Sequence, residues 1–180
     1  MRIIAGAWRG RVLAAPPGDA TRPTADRVRQ ALFDRLMHAP WAGRAAVDGA
    51  RVLDVFAGTG ALGLEALSRG AAHATFLETG RAALAALRGN VAVCRAEGRC
   101  TVLAADALRP PPGLACGLVF LDPPYGQGLV GPAVAALQAA GWIAPGALIV
   151  AEVGREEALP CGEPLDDSTH GAARVVAWRA

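Results

Sequence analysis

Asp122-Pro123-Pro124-Tyr125 follows directly on the apolar run Gly117-Leu118-Val119-Phe120-Leu121. A carboxylate at the end of a buried strand, then two prolines and an aromatic ring, is suited to holding a planar amine. The carboxylate oxygens and the Pro123 carbonyl can accept hydrogen bonds from an exocyclic amino group. Neither proline has an N–H, so the turn offers acceptors without competing donors, on a backbone stiffened by the rings. Tyr125 can stack on the ring that bears the amine. If Asp122 only terminated a strand, the three residues after it would be unexplained.

The second chemical feature is Asp54-Val55-Phe56-Ala57-Gly58-Thr59-Gly60-Ala61-Leu62-Gly63. Gly58, Gly60 and Gly63 fit G-x-G-x-x-G between a strand and a helix, and Glu78 ends the next strand twenty residues after Gly58. A dinucleotide and S-adenosylmethionine both bind loops of this kind, so the glycines alone do not choose. Charge separates the two. Asp54 just ahead of the loop would repel a pyrophosphate and oppose the helix N-terminus that favours it. S-adenosylmethionine has no phosphate, and its ammonium and sulfonium are cationic. Glu78 would accept from the ribose hydroxyls. Asp106 has two readings, an adenine contact or an N-cap for the segment after it. If the glycines served only a tight turn, Asp54 and Glu78 would be left without a purpose.

These residues need elements to position them. Apolar runs over 51–57, 74–78, 101–105, 117–121 and 147–153 predict five strands, and helical segments fall near 61–69, 81–96 and 129–140, with Gly70 and Gly98 as stops. Continuous apolar strands alternating with helices predict an α/β fold, a doubly wound, mostly parallel sheet covered on both faces. In such sheets ligands sit where the strand order reverses, normally between the first and fourth strands. The glycine loop follows the first and the Asp-Pro-Pro-Tyr turn the fourth, so the two should be neighbours. Residues 174–178 predict an added antiparallel edge strand after a loop around Asp166-Asp167-Ser168. Ahead of this core, residues 1–40 form an extension. Two short apolar pieces flank Trp8-Arg9-Gly10-Arg11, a hairpin pattern, and Arg22-Pro23-Thr24 leads into a helix with Thr24 as N-cap and Val28, Leu32 and Leu36 on one face. The expected organisation is one domain over 1–180, with its cofactor-binding and catalytic core over 51–180.

Composition narrows the classes. Of 180 residues, 53% are hydrophobic and 19% charged, which excludes a disordered chain. No run approaches the ~18 apolar residues of a membrane span, and residues 1–9 lack an apolar stretch of signal-peptide length, so a cytoplasmic protein is expected. Cys94, Cys100, Cys116 and Cys161 show no zinc spacing, and the three histidines are scattered singly; no metal is expected. His73, Phe33, Trp142 and Trp178 read as structural. The net charge of +2 is unevenly placed. Residues 1–35 hold seven arginines against three aspartates, a balance of +4, and the remainder carries −2. A basic end of this kind suits a nucleic-acid substrate.

Taken together, Arg2-Ile3-Ile4-Ala5-Gly6, Trp8-Arg9-Gly10-Arg11, Arg22-Pro23-Thr24, Asp26-Arg27-Val28-Arg29, the stretch from Asp54 to Gly70 and Asp122-Pro123-Pro124-Tyr125 closely resemble the bacterial 16S rRNA guanine-N2-methyltransferases of the RsmD type. The resemblance runs the length of the chain, and the Arg-Pro-Thr segment is its discriminating part. It implies a class I methyltransferase fold, S-adenosylmethionine as donor, and methylation of guanine N2 at position 966 of 16S rRNA in assembling small subunits. It places cofactor contacts on Asp54, Phe56, Gly58, Gly60, Glu78 and Asp106, and the target guanine on Asp122, Pro123, Pro124 and Tyr125. Arg9, Arg11, Arg22, Thr24, Arg27 and Arg29 would guide rRNA, and nothing demands more than a monomer. One departure is Gly80, where many relatives carry an aspartate. The same amine clamp would also serve adenine N6 or a glutamine amide. A non-catalytic rRNA-binding assembly factor and a nicotinamide-dependent oxidoreductase are the remaining alternatives, the latter opposed by Asp54.

Overall fold

The computed structural model describes residues 1–16, 23–124, 126–157, 159, 163–170 and 173–180. Its helices are α1 (Pro23–His38), α2 (Ala61–Ser68), α3 (Arg81–Cys94) and α4 (Val130–Ala139), and its strands are β1 (Arg51–Val55), β2 (His73–Glu78), β3 (Cys100–Ala104), β4 (Cys116–Leu121), β5 (Ile143–Gly154), β6 (Asp166–His170) and β7 (Ala173–Arg179). All seven strands join one sheet in the order β3-β2-β1-β4-β5-β7-β6. The first five pair in parallel, and β7 pairs antiparallel with both β5 and β6.

Apolar side chains on both faces of the inner strands require a cover on each side. On one face Val52, Phe76, Leu118, Phe120, Leu148 and Val150 pack with residues of α1, α2 and α3, including Phe33, Leu36, Leu64, Leu87 and Val91. On the other, Leu53, Val55, Leu77, Val119, Leu121, Ile149 and Ala151 meet Val130, Ala133, Val134 and Leu137 of α4. Phe33, Trp142 and Trp178 are buried in these layers, and His73 bonds Thr101 across the β2–β3 pair at 3.1 Å. Cys94 and Cys116 are buried free thiols and Cys100 is half-buried; Cys161 lies outside the described residues.

Several boundaries differ from expectation. β1 stops at Val55 because Phe56 turns to φ 58, a left-handed conformation that ends the ladder. The segment expected as a loop around Asp166-Asp167-Ser168 is strand β6. It is the sheet edge, and β7, expected there, lies inside it against β5. An edge strand with an exposed side carries polar residues, so Asp-Asp-Ser-Thr lacks the apolar mark of the inner strands. α1 begins at Pro23, so Thr24 falls inside its first turn instead of before it. Proline tolerates that position because its missing N–H has no partner there.

The first fourteen residues make a reduced hairpin. A single antiparallel bridge joins Arg2 and Val12, with Ile3 N–H on the Arg11 carbonyl at 2.9 Å and Leu13 N–H on the Met1 carbonyl at 3.0 Å. What holds this segment is α2. The fully buried Glu65 carboxylate accepts from the N–H groups of Ile4 at 2.7 Å and Ala5 at 3.0 Å, and from Arg69 Nε at 2.7 Å. Ser68 Oγ donates to the Ala5 carbonyl at 2.6 Å and accepts from Trp8 N–H at 3.0 Å. Gly6 passes so close that a Cβ there would lie 1.9 Å from the Ser68 carbonyl oxygen.

Among the described residues no helix is long and apolar enough to cross a membrane. Glu65→Ala leaves the N–H groups of Ile4 and Ala5 without their acceptor and takes from Arg69 its shorter ion pair, leaving only Asp34 at 4.0 Å, so it should cost about 3–5 kcal/mol. Urea unfolding should show that loss, and limited proteolysis should cut within residues 1–14 of the variant while leaving the parent intact there.

Candidate active site

The pairing of β1 with β4 aligns Val55 with Leu121, and Asp122 N–H reaches the Val55 carbonyl at 3.4 Å. The glycine loop and the proline turn therefore leave adjacent strands side by side at their carboxyl ends. Phe56 holds the left-handed backbone at the first step, a conformation rare for aromatic residues and characteristic of functional turns. Beyond it Ala57 N–H bonds the Leu77 carbonyl at 3.0 Å, and Gly60 N–H the Ala57 carbonyl at 2.7 Å. Gly60 has no room for a side chain, since a Cβ would lie 2.2 Å from Leu87. Gly58 differs. Its φ is +54, and an added Cβ would meet nothing closer than 3.9 Å, so it borders open space.

Two carboxylates hold the loop. Asp54 is buried, and its Oδ2 accepts from Gly63 N–H in the first turn of α2 at 2.8 Å. Glu78 Oε2 accepts from Gly58 N–H at 2.8 Å, while its Oε1 takes Thr79 N–H at 2.7 Å and Gly80 N–H at 2.6 Å. Gly80, the departure from the resembled pattern, is the N-cap of α3 and gives its N–H to Glu78. Asp106 lies two residues beyond β3, where its Oδ1 caps a turn through Leu108 N–H at 2.9 Å; no helix follows it before β4 among the described residues.

The sheet register assembles the acids into one array. Leu103, Leu77, Val55, Leu121 and Ala151 form one row across β3, β2, β1, β4 and β5. One step further stand Glu78, Asp122 and Glu152, and Asp54 is one step behind. Strand alternation puts all four on the face of Val52, Phe76, Phe120 and Val150. Burial, then the charges of Asp122 and Glu78, push the Asp54 carboxyl up to about 8, against the opposing pull of Gly63 N–H. Asp122 opens to solvent on one side but has protein packed around its carboxyl; that desolvation, then the charge of Glu152, raises it to about 7. Such an array favours a cation above it. Pro123 is buried and Pro124 exposed. Beside the turn opens a cavity of about 500 Å³ lined by Gly126, Gly128, Gly154, Arg155, Glu156 and Glu157. Tyr125 lies outside the described residues, as does Arg22; the side chain of Thr24 is likewise not described.

The expected basic surface divides. Arg9 and Arg27 are exposed and, with Arg2, Asp26 and Gln30, line a cleft of about 440 Å³ between the N-terminal segment and α1. Arg11 is half-buried and donates to the Val93 carbonyl at the end of α3 at 2.5 Å. Arg29, expected to face rRNA, is instead 5% exposed. Its guanidinium donates to the Arg2 carbonyl at 2.5 Å and to Asp26 at 2.9 Å, with Glu65 3.9 Å away. It braces the extension from within. Two residues of consequence escaped the sequence reading. Asn90 of α3 is buried and bonds both Ala14 and the Thr59 carbonyl of the glycine loop, the latter at 3.0 Å. Glu152 is the single charge in the apolar run of β5. A lone polar residue on a buried helix stripe, and a lone acid in a buried strand, are the signals that could have found them.

Comparison with known proteins agrees with this geometry. The family described as conserved hypothetical protein 95 matches residues 1–172. Ribosomal RNA small subunit methyltransferase D of Escherichia coli (strain K12) is 44% identical over 99% of this chain and 88% of its own. The chain belongs to the ribosomal RNA small subunit methyltransferase D family. A solved putative methyltransferase from Escherichia coli, yhhF, superposes with a TM-score of 0.84 at 38% identity, covering 99% of this chain and 97% of the other. An RNA methyltransferase from Salinibacter ruber, solved with S-adenosyl-L-homocysteine, shares the fold at a TM-score of 0.63 and 16% identity, covering 83% and 90%. The parallel sheet with its antiparallel C-terminal strands is thus the class I methyltransferase architecture of this family.

The raised carboxyls make stability depend on pH. With folded pKa values of about 8 and about 7 against an ordinary 3.8, the folded state binds more protons than the unfolded state between these limits. Stability should therefore fall as pH rises from 5 to 8, by about 1.4 kcal/mol per pH unit for the buried Asp54 and by less for Asp122, whose exposed side chain lets solvent screen its share. Asp54→Asn keeps an acceptor for Gly63 N–H and should flatten the slope by up to one proton. Urea unfolding across that range measures it, and equal slopes for both proteins would contradict the assignment.

Proposed function

We propose that this protein methylates the exocyclic N2 of one guanine of 16S rRNA, position 966, using S-adenosylmethionine, on the assembling small subunit in the cytoplasm. The observation that carries this reading is the placement of the Asp122-Pro123-Pro124 turn beside the glycine loop in a chain of this family. The donor fits the residues present. Gly58 leaves open space at the loop, Glu78 keeps acceptor capacity beyond its three backbone bonds, and the acid array suits a cationic ligand. The Salinibacter protein of the same fold holds the demethylated product of this donor. Phe56, Gly58 and Gly60 would border the donor, with Asp54 acting through the loop, Glu78 on the ribose and Asp106 on the adenine.

Bound there, the donor supplies a methyl group on a positively charged sulfur, so the transfer requires no metal. The guanine must leave its stack to reach the strand ends. Its N2 lone pair is delocalised into the ring, which makes it a weak nucleophile. Asp122 and the Pro123 carbonyl accept the two N2 hydrogens and favour a pyramidal nitrogen aimed at the methyl, with Tyr125 stacked on the ring. Fixing that geometry is worth several orders of magnitude in rate. The proton shed by N2 goes to Asp122, whose carboxyl near 7 can hold and release it at neutral pH. Arg9 and Arg27 would position the rRNA backbone, with Arg11, Arg22 and Thr24 along the same extension. One copy of the chain, residues 51–180 as the core and 1–40 as the RNA guide, contains every group this scheme uses.

Labelled S-adenosylmethionine with small subunits lacking their own methylation, followed by nucleoside analysis, tests the proposal. N2-methylguanine at one position is expected. Label in N6-methyladenine or in protein would move the activity to another amine, and no label would favour a non-catalytic binder. Asp122→Ala should lower turnover by at least about 100-fold while leaving donor affinity within about threefold. Arg9→Ala/Arg27→Ala should weaken RNA binding and reduce the slope of log affinity against log salt by about two.

A further inference from the structure

Two helices match arginines with acids of their own. In α1 Arg29 pairs with Asp26 at 2.9 Å, and Glu65 of α2 pairs with Arg69 at 2.7 Å. α3 is different. From Arg81 to its C-cap Arg95 it carries Arg81, Arg88 and Arg95 and no acid. All three are exposed, and among the described residues their side chains make no ion pair or hydrogen bond. Glu97, two residues beyond Arg95, pairs with none of them.

Helix stability does not explain these arginines. Arg81 stands at the first position of α3, where the helix dipole disfavours a cation. Arg88 has no acid three or four residues away on either side. Arg95 holds a left-handed backbone, φ 54, where glycine is the favoured residue.

Their spacing makes them a row. Seven residues return to nearly the same side of a helix, so the three form one line of roughly 20 Å. Leu84, Leu87, Val91 and Cys94 are buried beneath α3, and Asn90 turns to Ala14 and the glycine loop. At about 100° per residue, the row lies about 160° around the helix from Asn90. It therefore runs along the flank toward β3, the end strand of the sheet, apart from the cleft of Arg9 and Arg27. Its first member follows Gly80, whose N–H bonds Glu78 at 2.6 Å, so the row starts at the rim of the glycine loop and leads away from it. The other exposed residues of α3 are Ala82, Ala85, Gly89, Ala92 and Val93. A protein partner anchored by aromatic or long apolar side chains finds little to bury there. A polyanion does find a hold, because guanidinium groups match phosphate oxygens with paired donors.

We propose that α3 is a second contact for the substrate rRNA, in which Arg81, Arg88 and Arg95 bind the phosphate backbone of a segment flanking the target guanine. The RNA is then held on two sides of the donor loop, by the N-terminal extension and by α3. The inference rests on the reading of the substrate as rRNA.

The test removes the two arginines farther from the donor loop. Arg88→Ala and Arg95→Gly introduce the residues that a helix interior and a left-handed cap favour, so the double variant should unfold at the parent's temperature or above. Binding to protein-free 16S rRNA and to small subunits lacking their own methylation is measured across a range of salt. The slope of log affinity against log salt should fall by about two on both. The KM for small subunits should rise about 10-fold, while kcat at saturating subunits and affinity for S-adenosylhomocysteine stay within about twofold. Arg44→Ala removes an exposed arginine outside the row, paired with Asp48 at 3.5 Å, and should leave the slope as in the parent. An equal fall per charge there would make the effect one of net charge and overturn the proposal. An unchanged slope and KM in the double variant would overturn it too, leaving the row merely hydrated. So would a loss on small subunits with none on protein-free rRNA, which would make a ribosomal protein the partner. A parent protein that binds neither would instead remove the rRNA reading on which the inference stands.

Discussion

The parallel pairing of β1 with β4 is the constraint from which the site follows, because it brings residues 55 and 121 level across one ladder although they lie far apart in sequence. From that point the chain's crossovers go to opposite faces. α2 and α3 cover one side and α4 the other, so the carboxyl ends of the two central strands are left open between them. A loop of glycines and a turn of prolines are stable on that edge for different reasons. The first tolerates left-handed backbone and close approach, and the second needs no hydrogen-bond partners for its missing N–H groups. Neither could replace the other, and the sheet order makes them meet.

The same register concentrates four carboxyls on one face, which is electrostatically costly. The fold offsets part of that cost locally, by giving Asp54 the N–H of Gly63 and Glu78 three further backbone N–H groups. What remains is a raised affinity for protons at Asp54 and Asp122. A bound cation would displace those protons, so cation binding and ionisation of the array are linked: each favours the other. Acids that hold the loop in shape thereby also set the charge preference of its ligand.

The core strands and the glycine loop were legible because their signals are local. Runs such as Leu118 to Leu121 are apolar without interruption, and Gly58, Gly60 and Gly63 mark a turn by their spacing. Their neighbourhood was legible too, since strand order in this architecture follows from handedness and connection rules. What escaped depends on distant partners. Arginine is ordinarily an exposed residue, and only the fold shows that Arg29 meets the Arg2 carbonyl and Glu65 in the interior. The left-handed turn at Phe56 has no mark in a sequence where glycine would be the expected residue. β6 was hidden by its polar composition.

Residues 1–14 precede the groups that secure them by 60 to 76 positions. At synthesis rates of about 5–20 residues per second, that separation is roughly 3–15 s. Through this interval the donors of Ile4 and Ala5 have only water to bond, and Ile3 and Leu13, buried in the finished protein, have no surface to cover them. This segment is therefore secured only well after it is made. Glu65, Ser68 and Asn90 thus act as a latch that can close on residues 1–14 only after α2 and α3 have been made.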